Sequence, residues 1–448
     1  MEKREKRSML ARAGLAFMIW ILAFQSPLEN VWDSFSYIDE IAALFGACLG
    51  LYDIVIVRKG RPTREQLWMG IPLLLFIVVG LAGNLIYQYQ PLKCVIIDLY
   101  TNLKFFFAIG TGYYLFNALN WEEMKKTAGW NARMIALLLF ILFLADRILH
   151  LWPAEVRYGI PSAVLFYDHP TYLAGIMAFL LVLLTVFYER KNRPYIAIAL
   201  IIMAFTLRAK SLASAAAYIL MYVFFLLFKW RLRIWHVIVA GVGSVAIAWN
   251  KIRFYFIDLG GHSARSVILQ KSFEVMKDHF PIGTGFGTFG SAEAGKHYSP
   301  VYLKYSFNDY WELRDVNNVE NSLRLIHENE WYLAQYQKNP DFINNPPFMS
   351  DHFWPIIFGQ AGVLGTIIFL VILGLLMKRC MDVRKHDLHG FVGVLYVMAY
   401  LMISSVAEPA FHNAVAIPLA LVLGMVFSNA GDEKHLQDSA LICAQSRN

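Results

Sequence analysis

The sequence predicts an all-α, polytopic membrane protein of about twelve transmembrane helices with one large extracytoplasmic loop domain. Three observations lead there. Of 448 residues, 58% are hydrophobic and only 16% charged, where a soluble domain carries about 25% charged residues. The apolar residues come in unbroken blocks, among them MIALLLFILFLA, IMAFLLVLLTVF and IIFLVILGLLM. Helices that are apolar on every side suit lipid or the centre of a bundle. Finally, the basic residues gather in alternate short loops, as they do on the cytoplasmic side of membrane proteins.

Taken in order, the apolar blocks place helices near 9–28, 38–57, 67–87, 92–117, 131–151, 161–188, 195–207, 211–228, 234–250, 353–377, 389–408 and 411–428. The opening KREKR and the apolar run behind it resemble a signal peptide, but no small-residue cleavage site follows, so the run reads as a retained first helix. A cytoplasmic N-terminus then puts RKGRPTR, EEMKK, ERKNR, KWRLR and KRCMDVRK inside. The short outer loops hold few basic residues, namely Lys93, Arg157, Arg208 and Lys210. The chain divides into helices one to nine (1–250), an outer loop domain (251–352), helices ten to twelve (353–430) and a cytoplasmic tail (431–448).

The net charge of +7 sits in those topology-setting loops, so it does not imply nucleic acid. Cys48, Cys94, Cys380 and Cys443 have no metal spacing, and none lies in the large loop, which argues against a disulfide framework there. No cluster of carboxylates suggests a bound metal.

Polar residues inside the apolar blocks carry the functional signal. Asp39, Asp98, Asp146, Arg147, Asp168, His169, Arg208, Glu408 and His412 all fall in the outer half of their helices. A charge near the bilayer centre costs about 2.5–3.5 kcal/mol on insertion scales, so such residues are usually functional or paired. Together they describe a polar basin opening outward, whereas a transporter centres its site at the midplane. Lys104, deep in the fourth helix, is the exception and keeps transport as a rival.

In the outer loop, 263–280 reads as a helix with Ser263 as N-cap and Leu269, Phe273, Met276 and Phe280 on one face, suited to lying on the membrane surface. Arg265 sits in its first turn, where the macrodipole disfavours a cation. It either holds an anion together with the free helix N–H groups, or snorkels to headgroups or pairs with Asp258. Arg208 and Lys210 occupy a short outer turn that normally avoids basic residues, and phosphate attracts such cations; snorkelling is again the alternative. Gly283–Phe289 (GTGFGTF) lacks the preceding strand of a dinucleotide fingerprint and reads as a flexible turn back to the membrane, with close backbone approach to a ligand as the other use. Residues 291–350 contain eleven aromatics, which either stack on sugars or build the loop's own core. Asp351 and His352 stand at the outer mouth of the tenth helix; either is a candidate general base, or a cap or surface residue.

In order and spacing these pieces resemble the O-antigen ligase and O-antigen polymerase superfamily of bacterial envelope polysaccharide enzymes. The resemblance rests on FTLRAKS around Arg208, SARS around Arg265, HFPIGTGFGTF, and SDHFWPIIFGQAGVLG. It implies an inverting, metal-independent glycosyltransferase of the bacterial inner membrane, without a cofactor, that takes its glycan from a polyprenyl-pyrophosphate donor. Two arginines hold the pyrophosphate in that family, matching Arg208 and Arg265, with Lys210 assisting. A His-Asn pair heads the helix after the large loop; counting back from Gly362 sets Asp351 on the His and His352 on the Asn, so the base is His352 or Asp351. The partners implied are the lipid-linked glycan, membrane lipid, an acceptor glycan or lipid A-core, a chain-length regulator and a flippase.

The chemistry of the outer face agrees. Nucleotide sugars are not expected there, so the donor arrives already activated, and its leaving charge needs fixed cations. The favoured expectation is a polymerase for O-antigen, capsule or exopolysaccharide; the bulky FWP segment and the absence of a second nearby histidine, His297 lying well upstream, favour it over an O-antigen ligase. A transporter or flippase for lipid-linked glycans is the rival from another class.

Overall fold

The computed structural model describes residues 2–115, 119–157, 159–229, 264–290 and 352–429, with the side chains of 2–7, 65, 264–268, 270 and 271 excepted. Most of it is helix, 78% of the described residues. In chain order these are α1 (Glu2–Ala23), α2 (Gln25–Glu29), α3 (Ile38–Tyr52), α4 (Arg64–Tyr87), α5 (Leu92–Leu115), α6 (Trp121–Leu149), α7 (Pro170–Val186), α8 (Arg193–Phe205), α9 (Ala209–Met221), α10 (Ala264–Asp278), α11 (Phe353–Val383) and α12 (Leu388–Ser405), followed by α13 (Ala416–Asn429). The strands among the described residues are two short ones, Val156–Arg157 and Ile160–Pro161, paired antiparallel.

Among the described residues five segments are long and apolar enough to cross a membrane: Asp33–Val57, Gln66–Tyr87, Ala209–Leu227, Phe353–Val383 and Leu388–Ser405. Shorter apolar helices are Ser8–Ala23, Pro170–Val186 and Ala416–Asn429. The outer surface is apolar where lipid would lie: Leu74, Leu75 and Val78 of α4 and Ile367, Leu370 and Val371 of α11 are exposed. At the centre α7 is buried almost all round, from Leu173 to Val186. That accounts for its apolar block without a polar face. The expected ninth helix (234–250), Ser263 as a cap and most of the outer loop domain lie outside the described residues.

Capping chemistry moves several expected boundaries. The sixth helix does not start at 161: His169 is the N-cap of α7, Pro170 is its first residue, and 150–169 is irregular apart from the strand pair. Proline supplies no N–H and presets helical φ, so it fits a first turn. Conversely α6 begins ten residues before the expected 131, because Asn120 accepts from Glu123 N at 2.8 Å while Asn120 N donates to Glu123 at 3.3 Å. This capping box draws the charged EEMKK stretch into the helix. Residues 406–415 are not helical, so α13 starts at Ala416 rather than 411.

The glycine-rich stretch after α10 is not a surface turn. Residues 283–290 are all buried, wedged among α4, α5 and α11. The cause is a break in α11: Gly362 adopts φ 62 and ψ −161, opening the helical ladder there. Thr284 N donates to Gly359 O at 3.0 Å and Gly285 N to Gln360 O at 2.9 Å, so the loop satisfies carbonyls the break leaves free. Gly283 and Gly362 meet backbone to backbone, both with positive φ, and a Cβ on either would collide with the other's main chain. From the far side the Asn84 amide pairs with both main-chain groups of Phe286, at 2.8 and 2.9 Å. Close approach is therefore the use of these glycines, and it is made to helices of the same chain.

Helix α10 packs on α11 rather than lying free. Its buried residues are Ser272, Val275 and His279, whereas Phe280 is 68% exposed and Phe273 stacks on Phe358 at 5.3 Å. Phe273 and Phe280, on the face expected to lie on the membrane surface, are thus exposed, while Ser272, Val275 and His279 are buried. An aromatic cluster ties this unit to the rest: Phe353 lies 4.7 Å from Phe411, and Phe105 lies 5.2 Å from Phe411. Such pairs contribute about 0.5–1.5 kcal/mol each beyond their burial. They fix the start of α11 against α5 and the 406–415 corner.

Candidate functional site

The start of α9, the start of α7, the 150–169 segment and the 404–412 corner converge at one end of the bundle. Arg208 is the N-cap residue of α9. Its guanidinium donates to Glu155 at 2.7 Å, and Arg157 donates to the same carboxylate at 2.9 Å. Glu155 is 51% exposed while Arg208 is only 15% exposed. Hydrogen bonding from Arg157, then the nearby Arg208 charge, hold the Glu155 carboxyl below the usual carboxylate range. Arg208 Nε is buried and donates to nothing among the described residues. In the first turn of α9, Lys210 is paired with Glu408.

His169 lies beside this group. Its Nδ1 accepts from Thr171 N at 3.3 Å, with Thr171 Oγ1 at 2.7 Å. The neutral ring therefore carries its proton on Nε2, as a donor. Partial burial, then the Arg208 and Lys210 charges, lower its pKa from the ordinary 6.5. Folded His169 thus binds fewer protons than the unfolded chain below pH ~6.5, so its contribution to stability falls as the pH drops through that range. In a titration of labelled histidines by nuclear magnetic resonance, the His169 midpoint should lie below 6.5, and Arg208→Gln should move it upward. An unmoved midpoint would mean that Arg208 does not act on this ring.

The same end holds His352, the N-cap residue of α11, with a side chain that is 2% exposed and makes no capping hydrogen bond. Its neighbours anchor it to the corner that carries Glu408. Trp354 Nε1 donates to Ser405 Oγ at 3.0 Å, and the Phe353 ring meets His412 edge-on at 5.2 Å. The Lys210–Glu408 pair and the head of α11 therefore share one short stretch of chain. Asp351 lies outside the described residues, as does the Arg265 side chain, whose backbone is in the first turn of α10.

The other polar residues picked out by sequence hold the fold. Arg147 pairs with Asp146 at 2.8 Å and donates to Pro161 O at 2.6 Å, clamping the 150–169 segment. Asp168 accepts from Asn30 at 2.7 Å, tying that segment to the end of α2. Asp98 accepts from Gly287 N at 2.8 Å, and Asn102, which donates to Asp98, also meets His412 at 3.2 Å. Lys104 is no isolated midplane charge: it pairs with Asp39 at 2.9 Å and Glu40 at 3.5 Å. Gln25 completes that group with a 2.9 Å bond to Asp39, beside a cavity of about 240 Å³.

Sequence reasoning passed over Glu155, since a lone glutamate in a loop carries no pattern. What sets Arg208 apart is that its partner Glu155 is half exposed, whereas Lys210 and Glu408 pair largely out of water. An ion pair open to water on one side is worth about 0–1 kcal/mol, so a multiply charged anion can displace Glu155. Three cations, Arg157, Arg208 and Lys210, face two carboxylates, Glu155 and Glu408, and all but Glu408 act electrostatically on His169. Among the described residues, no three His, Cys, Asp or Glu side chains group closely enough to hold a metal ion. Comparison with known families and with curated proteins finds no matching family model and no matching protein.

Proposed function

We propose that this chain is a membrane glycosyltransferase: a polysaccharide polymerase that moves glycan from a polyprenyl-pyrophosphate donor to a sugar hydroxyl on the outer face of the bacterial inner membrane. In this reading about twelve helices cross the bilayer and residues 251–352 form an extracytoplasmic domain. The observation that carries it is the cationic edge: Arg208 and Lys210 on one turn, Arg208 held by the displaceable Glu155, beside the 404–412 corner to which the head of α11, with His352, is anchored.

The reaction follows from that arrangement. The donor's pyrophosphate exchanges with Glu155 and is gripped by Arg208, with Lys210 assisting and Arg265 as a second arginine. Nε2–H of His169 is placed to donate to the same anion. The acceptor hydroxyl oxygen attacks the anomeric carbon, the bond to the pyrophosphate oxygen breaks, and configuration inverts. The hydroxyl proton passes to His352 or Asp351, and polyprenyl pyrophosphate leaves with the bonding electrons. Negative charge grows on the leaving oxygen in the transition state, where preorganised cations act most strongly.

Topology tests the premise. Reporter fusions near residue 300 should be active outside the cytoplasm, and fusions near 60, 125 and 382 inside. An inside signal at 300 would turn Arg208 towards nucleotide-linked donors and overturn the outward-facing site.

A further inference from the structure

A second cavity lies at the opposite end of the bundle from Arg208. It has a volume of about 450 Å³ and lies between the first turns of α4, the last turns of α5 and α11, and the end of α13. Its rim bears four cations, Arg58, Arg64, Lys378 and Arg379. Two are accounted for locally: Arg58 pairs with Asp53 at 2.7 Å, and Arg379 donates to Phe427 O at 3.3 Å. The nearby carboxylates are already engaged, Asp53 by Arg58 and Asp382 by Lys385 at 2.6 Å.

Arg64 and Lys378 are different. Among the described residues neither has a carboxylate within ion-pair distance. Lys378 lies over the Trp68 ring at 5.5 Å. Arg64 stands in the first turn of α4, where the positive end of the helix dipole repels it. A cavity with two cations that no described carboxylate offsets, one of them at a helix N-terminus, suits negative charge. Below the rim the wall turns apolar through Leu73, Phe106 and Ile109. Trp68, Tyr113 and Tyr114 ring the boundary, as aromatic side chains do at headgroup depth.

We infer that this cleft binds one anionic glycerophospholipid, its phosphate between Arg64 and Lys378 and the start of an acyl chain along Leu73, Phe106 and Ile109. The excess of positive charge selects against zwitterionic headgroups, and the apolar wall selects a lipid over a free anion. The volume suits a headgroup and the first part of a chain, with the remainder in the bilayer. Basic pockets between helices on the cytoplasmic side are the usual form of such recognition. This site is independent of the glycan-transfer reading.

The test is thermal melting of the full chain in mild detergent, titrated with phosphatidylglycerol, with phosphatidylcholine of the same chains, or with inorganic phosphate. Phosphatidylglycerol should raise the melting temperature saturably, phosphatidylcholine should need about tenfold more lipid for the same rise, and phosphate alone should give none. At about fivefold per lost charge near the headgroup, R64Q with K378Q should weaken phosphatidylglycerol about 25-fold. Leu73→Trp, which fills the apolar wall and leaves every charge in place, should also weaken it; this variant decides the matter if the double variant does not fold. Equal responses to the two lipids, or to phosphate and lipid, would overturn the inference. So would unchanged titrations in both variants.

Discussion

Replacing Arg208 with alanine is expected to cut polymer formation about 100–1,000-fold, the loss typical of one preorganised donor facing developing charge. Protein level should hold. The Arg208–Glu155 pair is open to water on the carboxylate side, and Glu155 keeps Arg157 when Arg208 is gone. An exposed pair of this kind contributes at most about 1 kcal/mol to stability. The loss should therefore appear in turnover and not in folded yield. Arg208→Lys should recover part of the activity, since lysine keeps the charge but lacks the planar fork that binds two phosphate oxygens at once. Arg265→Ala should behave likewise if its side chain completes the grip. Normal-length polymer from both alanine variants would show that these arginines serve lipid headgroups rather than the donor.

The second large effect concerns the base. Removing the group that accepts the acceptor hydroxyl's proton should slow transfer about 100–10,000-fold. His352→Asn and Asp351→Asn, assayed from pH 5 to 9, separate the two candidates. A free imidazole titrates near 6.5 and accepts a proton at neutral pH without special tuning, whereas a free aspartate titrates near 3.9 and needs burial or a like charge to become comparably basic. That chemistry favours His352, the N-cap residue of α11. His352→Asn should be nearly inactive and Asp351→Asn partly active across the pH range. An inactive Asp351→Asn beside an active His352→Asn would move the role to the carboxylate. Two active variants would leave the arginines and the donor's own activation to carry the reaction.

What the sequence makes legible is the local part. Apolar blocks translate into helices because runs of that length suit a helix apolar on every side, and the basic pair Arg208 and Lys210 in a short turn between apolar blocks is readable from loop charge alone. Long-range features are hidden. GTGFGTF resembles a flexible turn, and its burial depends on Asn84 and on the break at Gly362, both far away in sequence. Lys104 looks like a lone charge until Asp39 is brought to it across α3 and α5. The early start of α6 turns on one reciprocal cap between Asn120 and Glu123, which outweighs the charged composition of that turn. Partly hidden charges become interpretable only once their partners are known, which is how Arg147 and Asp98 pass from candidate site to scaffold.

The central claim is transfer from a lipid pyrophosphate, and one measurement meets it directly. The purified chain is mixed with polyprenyl-pyrophosphate-linked repeat units, without nucleotide sugar, and both products are followed. The account predicts a ladder of lengthened glycans with release of one polyprenyl pyrophosphate per repeat added, lost in the Arg208→Ala variant. Intact donor and no lengthened glycan, from protein that folds and melts normally, would contradict it.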